Sequence, residues 1–267
     1  MKFKKIFFQD YIVTAPLPLA LERCWECEIQ SAQNFLRPIL DLGCGEGLFA
    51  LNLVDEKIDV GVEPNPVELE RAHSLNKYIE LIGCFGDSIP KQDKSFQTIF
   101  SNSVLEHIPD IKPVLLELHR LLADNGQAYF TLPTDKFDQY SVGYQFLSGL
   151  GLKGFALQYK NMFNKFWRHY HCYNKADWEL LFNQCGFKVK AQFEYASKTQ
   201  CIFNNIATPL CLFSFVVKKL TNRWFLLPPL RKLVTKLIHV PLFSFLAHLN
   251  TQPSGKGGLI FFALEKN

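Results

Sequence analysis

From residue 38 onward, short apolar runs rich in β-branched and aromatic residues alternate with longer segments whose apolar positions recur at helical spacing. The runs PILDL (38–42), IDVGV (58–62), YIELIGC (78–84), FQTIF (96–100) and QAYFTL (127–132) predict five strands. Segments 48–54, 67–76 and 114–123 predict the helices between them, with Asn125-Gly126 as a stop after the last. Such alternation is the signature of βαβ units around a parallel sheet, an α/β fold. The rhythm then breaks. Residues 135–170 are rich in aromatics and glycine, 175–185 reads as a helix stopped at Gly186, and FKVKAQFEY (187–195) alternates like a half-exposed strand. GGLIFFALE (257–265) supplies a last strand. The pattern divides the chain into a helical extension over 1–37, an α/β domain over 38–196 and 257–267, a cap insertion over 135–170, and a second insertion over 197–256.

Composition adds limits. With 267 residues, 48% hydrophobic and 20% charged, the chain can bury a substantial core, which excludes a disordered protein. The net charge of +4 is uneven: residues 201–267 hold 8 Lys/Arg against a single acid, Glu265, so an anionic partner is expected at that end. Eight scattered cysteines, of which only Cys24 and Cys27 lie close and have no second pair to complete a zinc site, predict reduced thiols in an intracellular protein. The apolar run at the start ends at Asp10, short of a secretory signal, and a cytoplasmic location is expected. Stretches 201–217 and 237–249 are apolar, but Pro209 and Pro241 interrupt them and neither reaches the ~20 residues of a spanning helix.

The densest chemical signal is ILDLGCGEG, in which Asp41, Gly43, Cys44, Gly45 and Gly47 follow a buried strand and open a helix. Glycines there let backbone approach a ligand, and Glu63, at the end of the second strand, is placed to accept both hydroxyls of a ribose. The spacing indicates a nucleoside cofactor. Leu48 occupies the third-glycine place of G-x-G-x-x-G, which argues against a dinucleotide.

Through LDLGCGEG, VGVEP, GDSIP and SNSVLEHIPD the chain resembles the class I S-adenosylmethionine-dependent methyltransferases, most closely their type 11 (ubiquinone/menaquinone-biosynthesis-like) group, over 38–133 and more loosely over 174–195. The resemblance implies a Rossmann-like, doubly wound seven-stranded sheet of order 3-2-1-4-5-7-6 whose last strand is antiparallel. It assigns the methionine and ribose parts of S-adenosyl-L-methionine to Asp41, Gly43, Cys44, Gly45 and Gly47. Glu63 would hold the ribose, Asp87 the adenine amine with Ser88 beside it, and Asn102 and Ser103 the methionine end facing the acceptor. Metal-dependent relatives carry E-x-x-E-H here; Ser103 stands in place of the first Glu, leaving Glu106 and His107, so no metal is expected. His107 could serve as a base. His171, in Arg168-His169-Tyr170-His171, is a second catalytic candidate, lining an acceptor pocket with Tyr140, Tyr144 and Tyr173.

These features predict methyl transfer to a small, hydrophobic or lipid-linked acceptor, at oxygen. The alternatives are a soluble methyltransferase of glycans or secondary metabolites, and a cofactor-binding scaffold without turnover. Basic and apolar residues interleave in the second insertion, with Lys218, Lys219, Arg223, Arg231, Lys232 and Lys236 among Phe213, Phe215, Trp224, Phe243 and Phe245. That mixture suits a membrane surface bound through 201–250, while a homodimer contact or a lid would look the same. A nucleic-acid partner is not expected, because no polar basic groove and no N-P-P-Y-like tetrapeptide follow the fourth strand.

Overall fold

The apolar runs become neighbours in one sheet whose middle strands are buried on both faces and whose edges are partly exposed. In the computed structural model, which describes residues 1–221, 224–239, 241 and 256–267, the central strand is β1 (Ile39–Leu42), buried throughout. It pairs in parallel with β2 (Ile58–Val62) on one side and β4 (Phe96–Asn102) on the other. Beyond β2 lies β3 (Tyr78–Ile82), and beyond β4 lies β5 (Leu122–Pro133). The sheet is completed by β7 (Leu259–Lys266), antiparallel to both β5 and the edge strand β6 (Phe187–Tyr195), which gives the order β3-β2-β1-β4-β5-β7-β6. This is the expected topology.

Successive residues feed opposite layers. Ile39, Phe100, Tyr129 and Phe261 join the core beneath α1 (Phe7–Thr14), α2 (Leu17–Ser31) and α3 (Leu48–Leu53). Leu40, Ile99, Phe130 and Phe262 join the core beneath α5 (Ile111–Leu121) and α8 (Lys175–Gln184). A further helix, α4 (Pro66–Leu75), links β2 to β3 and is capped by the Asn65 side chain accepting from Val67 N. One boundary differs from the sequence pattern. The helix read over 114–123 ends at Leu121, because Leu122 is already extended and paired with Phe96, and Asn125-Gly126 fall in the register shift before Gln127 pairs with Thr98.

The described parts of the two insertions are largely helical. The cap forms α6 (Val142–Gly149) and α7 (Lys153–Trp167), anchored by the buried Asp138, which accepts from Asn164 Nδ2 at 2.7 Å and faces Lys160 Nζ at 3.4 Å. The second insertion starts with α9 (Lys198–Ala207), closed by a Ser197/Gln200 capping box, and a short 3-10 turn at Pro209 leads into α10 (Leu212–Thr221) and α11 (Pro228–Val234). Its two ends meet, since Tyr195 and Leu259 are register partners on β6 and β7. No single described helix is long and apolar enough to cross a membrane; α9 and α10 pass together by length and composition but are bent by 59°. Arg223, Phe243, Phe245 and most of 237–249 lie outside the described residues. None of the eight cysteines is in a disulfide.

Candidate active site

The loop after β1 is pinned to the end of β2 by Gly43 N and Cys44 N, which donate to Val62 O at 2.8 and 3.0 Å. Gly43, Gly45 and Gly47 all have positive φ, at 72°, 52° and 79°. A Cβ on Gly43 would come within 2.6 Å of the Val104 methyls, whereas one on Gly45 would meet nothing within 4 Å. The first glycine is thus demanded by packing and the second opens onto free space. Glu63 reaches back to this loop: one carboxylate oxygen accepts from Gly45 N at 3.1 Å and the other from Asn65 N at 2.9 Å. Burial raises its pKa against those two donors.

A cavity of about 230 Å³ lies beside the loop, lined by Asp41, Gly43, Cys44, Gly45, Asn102 and Ser103 among others. Six sequence-predicted residues are therefore brought together. Asp41 is a brace within this group: buried, it accepts from Tyr78 OH at 2.7 Å, and burial pushes its carboxyl up to about 7 despite that bond. Gly47 stands behind, packed on Ala72 and Tyr78 at the start of α3. Asp87 and Ser88 are exposed in the loop after β3 and line neither this cavity nor the next.

The next cavity, of about 240 Å³, lies between α2, the turn at 105–107, the cap and α9. Leu19, Arg23 and Ser103 line both cavities, so the two adjoin. Three residues at the boundary are tied to α2: Ser103 Oγ donates to Glu26 Oε1 at 2.7 Å, Thr131 Oγ1 donates to the same oxygen at 3.2 Å, and Gln30 Nε2 donates to Asn102 Oδ1 at 2.9 Å. Arg23 pairs with the fully buried Glu26. Sequence reasoning missed these α2 groups. Their signal was Glu22, Glu26 and Gln30 spaced by four, a polar stripe in which Glu26 and Gln30 are buried.

His107, Glu106 and His169 line the second cavity. His107 Nδ1 lies 3.2 Å from Arg168 O, an acceptor only, so Nδ1 carries the proton and Nε2 holds the free lone pair. Burial lowers the His107 pKa, which keeps the ring neutral. Burial also pushes Glu106 up to about 8 and His169 down to about 4, the latter helped by His107 nearby. Ligand atoms of these three side chains lie within 4.8 Å of one another, a spacing a divalent ion could bridge. The sequence reading had lacked that third donor, His169.

His171 requires correction. It is 8% exposed, its Nε2 lies 2.8 Å from Ile108 O, its Nδ1 lies 2.8 Å from Tyr173 OH, and it lines neither cavity. Both nitrogens are occupied, so it fixes the chain behind the site while His169, two residues earlier, faces the cavity.

The second insertion also reaches the first cavity. Lys218 Nζ lies 3.0 Å from Glu46 Oε1 and 3.3 Å from Glu68 Oε1, and Trp224 Nε1 donates to Glu46 Oε1 at 2.7 Å.

A family described as a methyltransferase domain matches residues 20–192. The chain belongs to that family. A methyltransferase-domain relative in Vibrio atlanticus, named ubiquinone biosynthesis O-methyltransferase, is 26% identical over 114 residues, 40% of this chain and 47% of the relative. An uncharacterized methyltransferase of a Mycobacterium species is 32% identical over 110 residues, 40% of this chain and 44% of the relative. The chain spans about half the length of the curated relatives it matches. Among solved structures, an S-adenosylmethionine-dependent methyltransferase from Thermotoga maritima superposes over 92% of this chain and 88% of its own with a TM-score of 0.56 and 15% identity. The cyclase SpnF does so over 92% and 80% with a TM-score of 0.54 and 14% identity. Likeness at this identity shows the fold alone. S-adenosylmethionine is the cofactor that goes with the methyltransferase domain. The residues present fit it: the open space over Gly45 admits a ligand, and the half-buried Glu63 carboxylate beside it offers acceptors to hydroxyls.

Proposed function

We propose that the protein transfers the methyl group of S-adenosylmethionine to an oxygen of a small, hydrophobic or lipid-linked acceptor. The observation that carries this reading is the pair of adjoining cavities: one beside the glycine loop and Glu63, the other walled by Phe137, Phe163, Trp167 and Phe215, with Ser103 and Arg23 between. When bound, S-adenosylmethionine supplies a methyl group on a sulfonium, open to in-line displacement. The chain's own work is alignment and proton removal. Asp41, Gly43, Cys44, Gly45 and Glu63 hold the donor's methionine and ribose parts, Asn102 and Ser103 its reacting end, and Asp87 with Ser88 the adenine edge. His107 takes the acceptor hydroxyl proton on Nε2, the nitrogen that the Arg168 carbonyl leaves free. The Vibrio relative's printed name favours oxygen.

The test is calorimetric titration with S-adenosylmethionine and, in parallel, NADH, followed by transfer of labelled methyl to phenolic acceptors in the presence of a chelator. Saturable binding of the first ligand alone and transfer that survives chelation are expected. Loss of transfer with the metal would instead assign His107 to an ion. Glu63→Ala should weaken donor binding by about 1.5–3 kcal/mol.

A further inference from the structure

The helices whose inner sides wall the acceptor cavity carry apolar residues on their outer sides as well. On α7, Phe163 and Trp167 face the cavity, while Phe155, Met162 and Phe166 are 61%, 62% and 68% exposed. On α10, Val217 is buried and Lys218 reaches inward to Glu46, while Phe213, Val216 and Leu220, at spacings of three and four, are 69%, 54% and 79% exposed. On α11, which lines neither cavity, Leu230 and Leu233 are exposed as well. The two insertions touch: the Trp167 and Phe215 rings lie 6.3 Å apart. Ordinary surfaces scatter exposed apolar residues singly, and exposed apolar residues recurring along three helices of the two insertions are a different pattern.

Charge decides what meets this surface. The sequence has no acid between Asp138 and Asp177, and none between Glu194 and Glu265. Over the same stretches Lys153, Lys165, Lys219, Lys232 and Lys236 are exposed. A second copy of the chain docking by the same face would bring these cations against each other with no acid to pair them. An anionic bilayer matches both components, taking the apolar stripes into its interface and the lysines at its headgroups.

We propose that the outer faces of α7, α10 and α11 form one peripheral docking surface for an anionic lipid membrane. Docking does not depend on the reaction run in the cavities, so its failure would leave that reading standing.

The experiment is flotation of the full chain with vesicles of phosphatidylcholine alone and of equimolar phosphatidylcholine and phosphatidylglycerol. Recovery with the anionic vesicles only, reduced by added salt, is expected. Lys232→Gln with Lys236→Gln should lower the partition coefficient about 10- to 30-fold. The double variants Phe213→Asp/Leu220→Asp and Phe155→Asp/Phe166→Asp should each abolish recovery while keeping the wild-type circular dichroism spectrum. The proposal is overturned if the intact chain does not float, including the case in which light scattering shows a dimer, or if both apolar double variants float like the wild type.

Discussion

The donor and acceptor cavities are of similar size but are assembled by different means. The first has at its centre the contiguous segment 41–46, held by backbone bonds to β2, and residues 102–104, with α1 to α4, α10 and Trp224 around them. The second collects side chains from α2, the turn at 105–107, α7, α9 and α10, segments that the chain visits far apart. A site centred on one loop depends on backbone conformation; a site with no such centre depends on the side chains that join its segments. Glu26 is the main joint, because its carboxylate ties α2 to Ser103, at the boundary of the two cavities, and to Thr131.

Substitutions at both cavities and a change of pH probe that contrast. The largest effect is expected at the acceptor end, where His107→Asn should lower turnover by ~10²–10⁴-fold with donor affinity unchanged in calorimetry. The same change at His171 should show in thermal stability and leave turnover near wild type. Next, Glu26→Ala removes the partner of Arg23 and of two hydroxyls and should cost about 3–5 kcal/mol in denaturant unfolding; an unfolding curve like the wild type would mean the cavities are held by something else. Gly43→Ala combines a positive φ with a clash against Val104 and should destabilise by about 2–4 kcal/mol while also reducing donor affinity.

The smallest effect is on pH. Asp41 and Glu106, one at each end, have pKa values raised by burial to about 7 and about 8, so the folded chain holds protons that the unfolded chain releases. Stability is then greatest below the ordinary carboxylate range and falls as pH rises from that range to about 7 to 8, by about 1.4 kcal/mol per pH unit for each group. Asp41→Asn should remove the donor-end share of that slope in pH-dependent denaturation, and Glu106→Gln the acceptor-end share.

The same contrast explains what could be read from the chain. Strand positions were legible because the inner strands are apolar runs buried on both faces and β6 alternates at a half-exposed edge, the sheet order because the motifs resemble those of a known family, and the glycine loop because its residues are adjacent. The α5 to β5 boundary was misplaced because Asn125-Gly126 is a turn signal in either context, and pairing of Leu122 with Phe96 overrode it. The acceptor cavity was hardly legible. His169 and His171 are equivalent in sequence, and only the path of the chain after the αL residue Arg168 turns one toward the cavity and the other toward Ile108 O and Tyr173. The polar stripe on α2 was visible as a pattern, but its partners lie more than seventy residues away.

The meeting of Tyr195 and Leu259 on adjacent strands bears on how such a chain can be re-tooled. The second insertion leaves the sheet and returns to it at one doorway, the position a tight hairpin turn would otherwise occupy. Loop closure penalties grow only slowly with length, so segments of very different size can be exchanged there without disturbing strand registry. Grafting a foreign segment between these two residues would test a modular rule: the doorway exchanges recognition while the glycine loop and its chemistry stay in place.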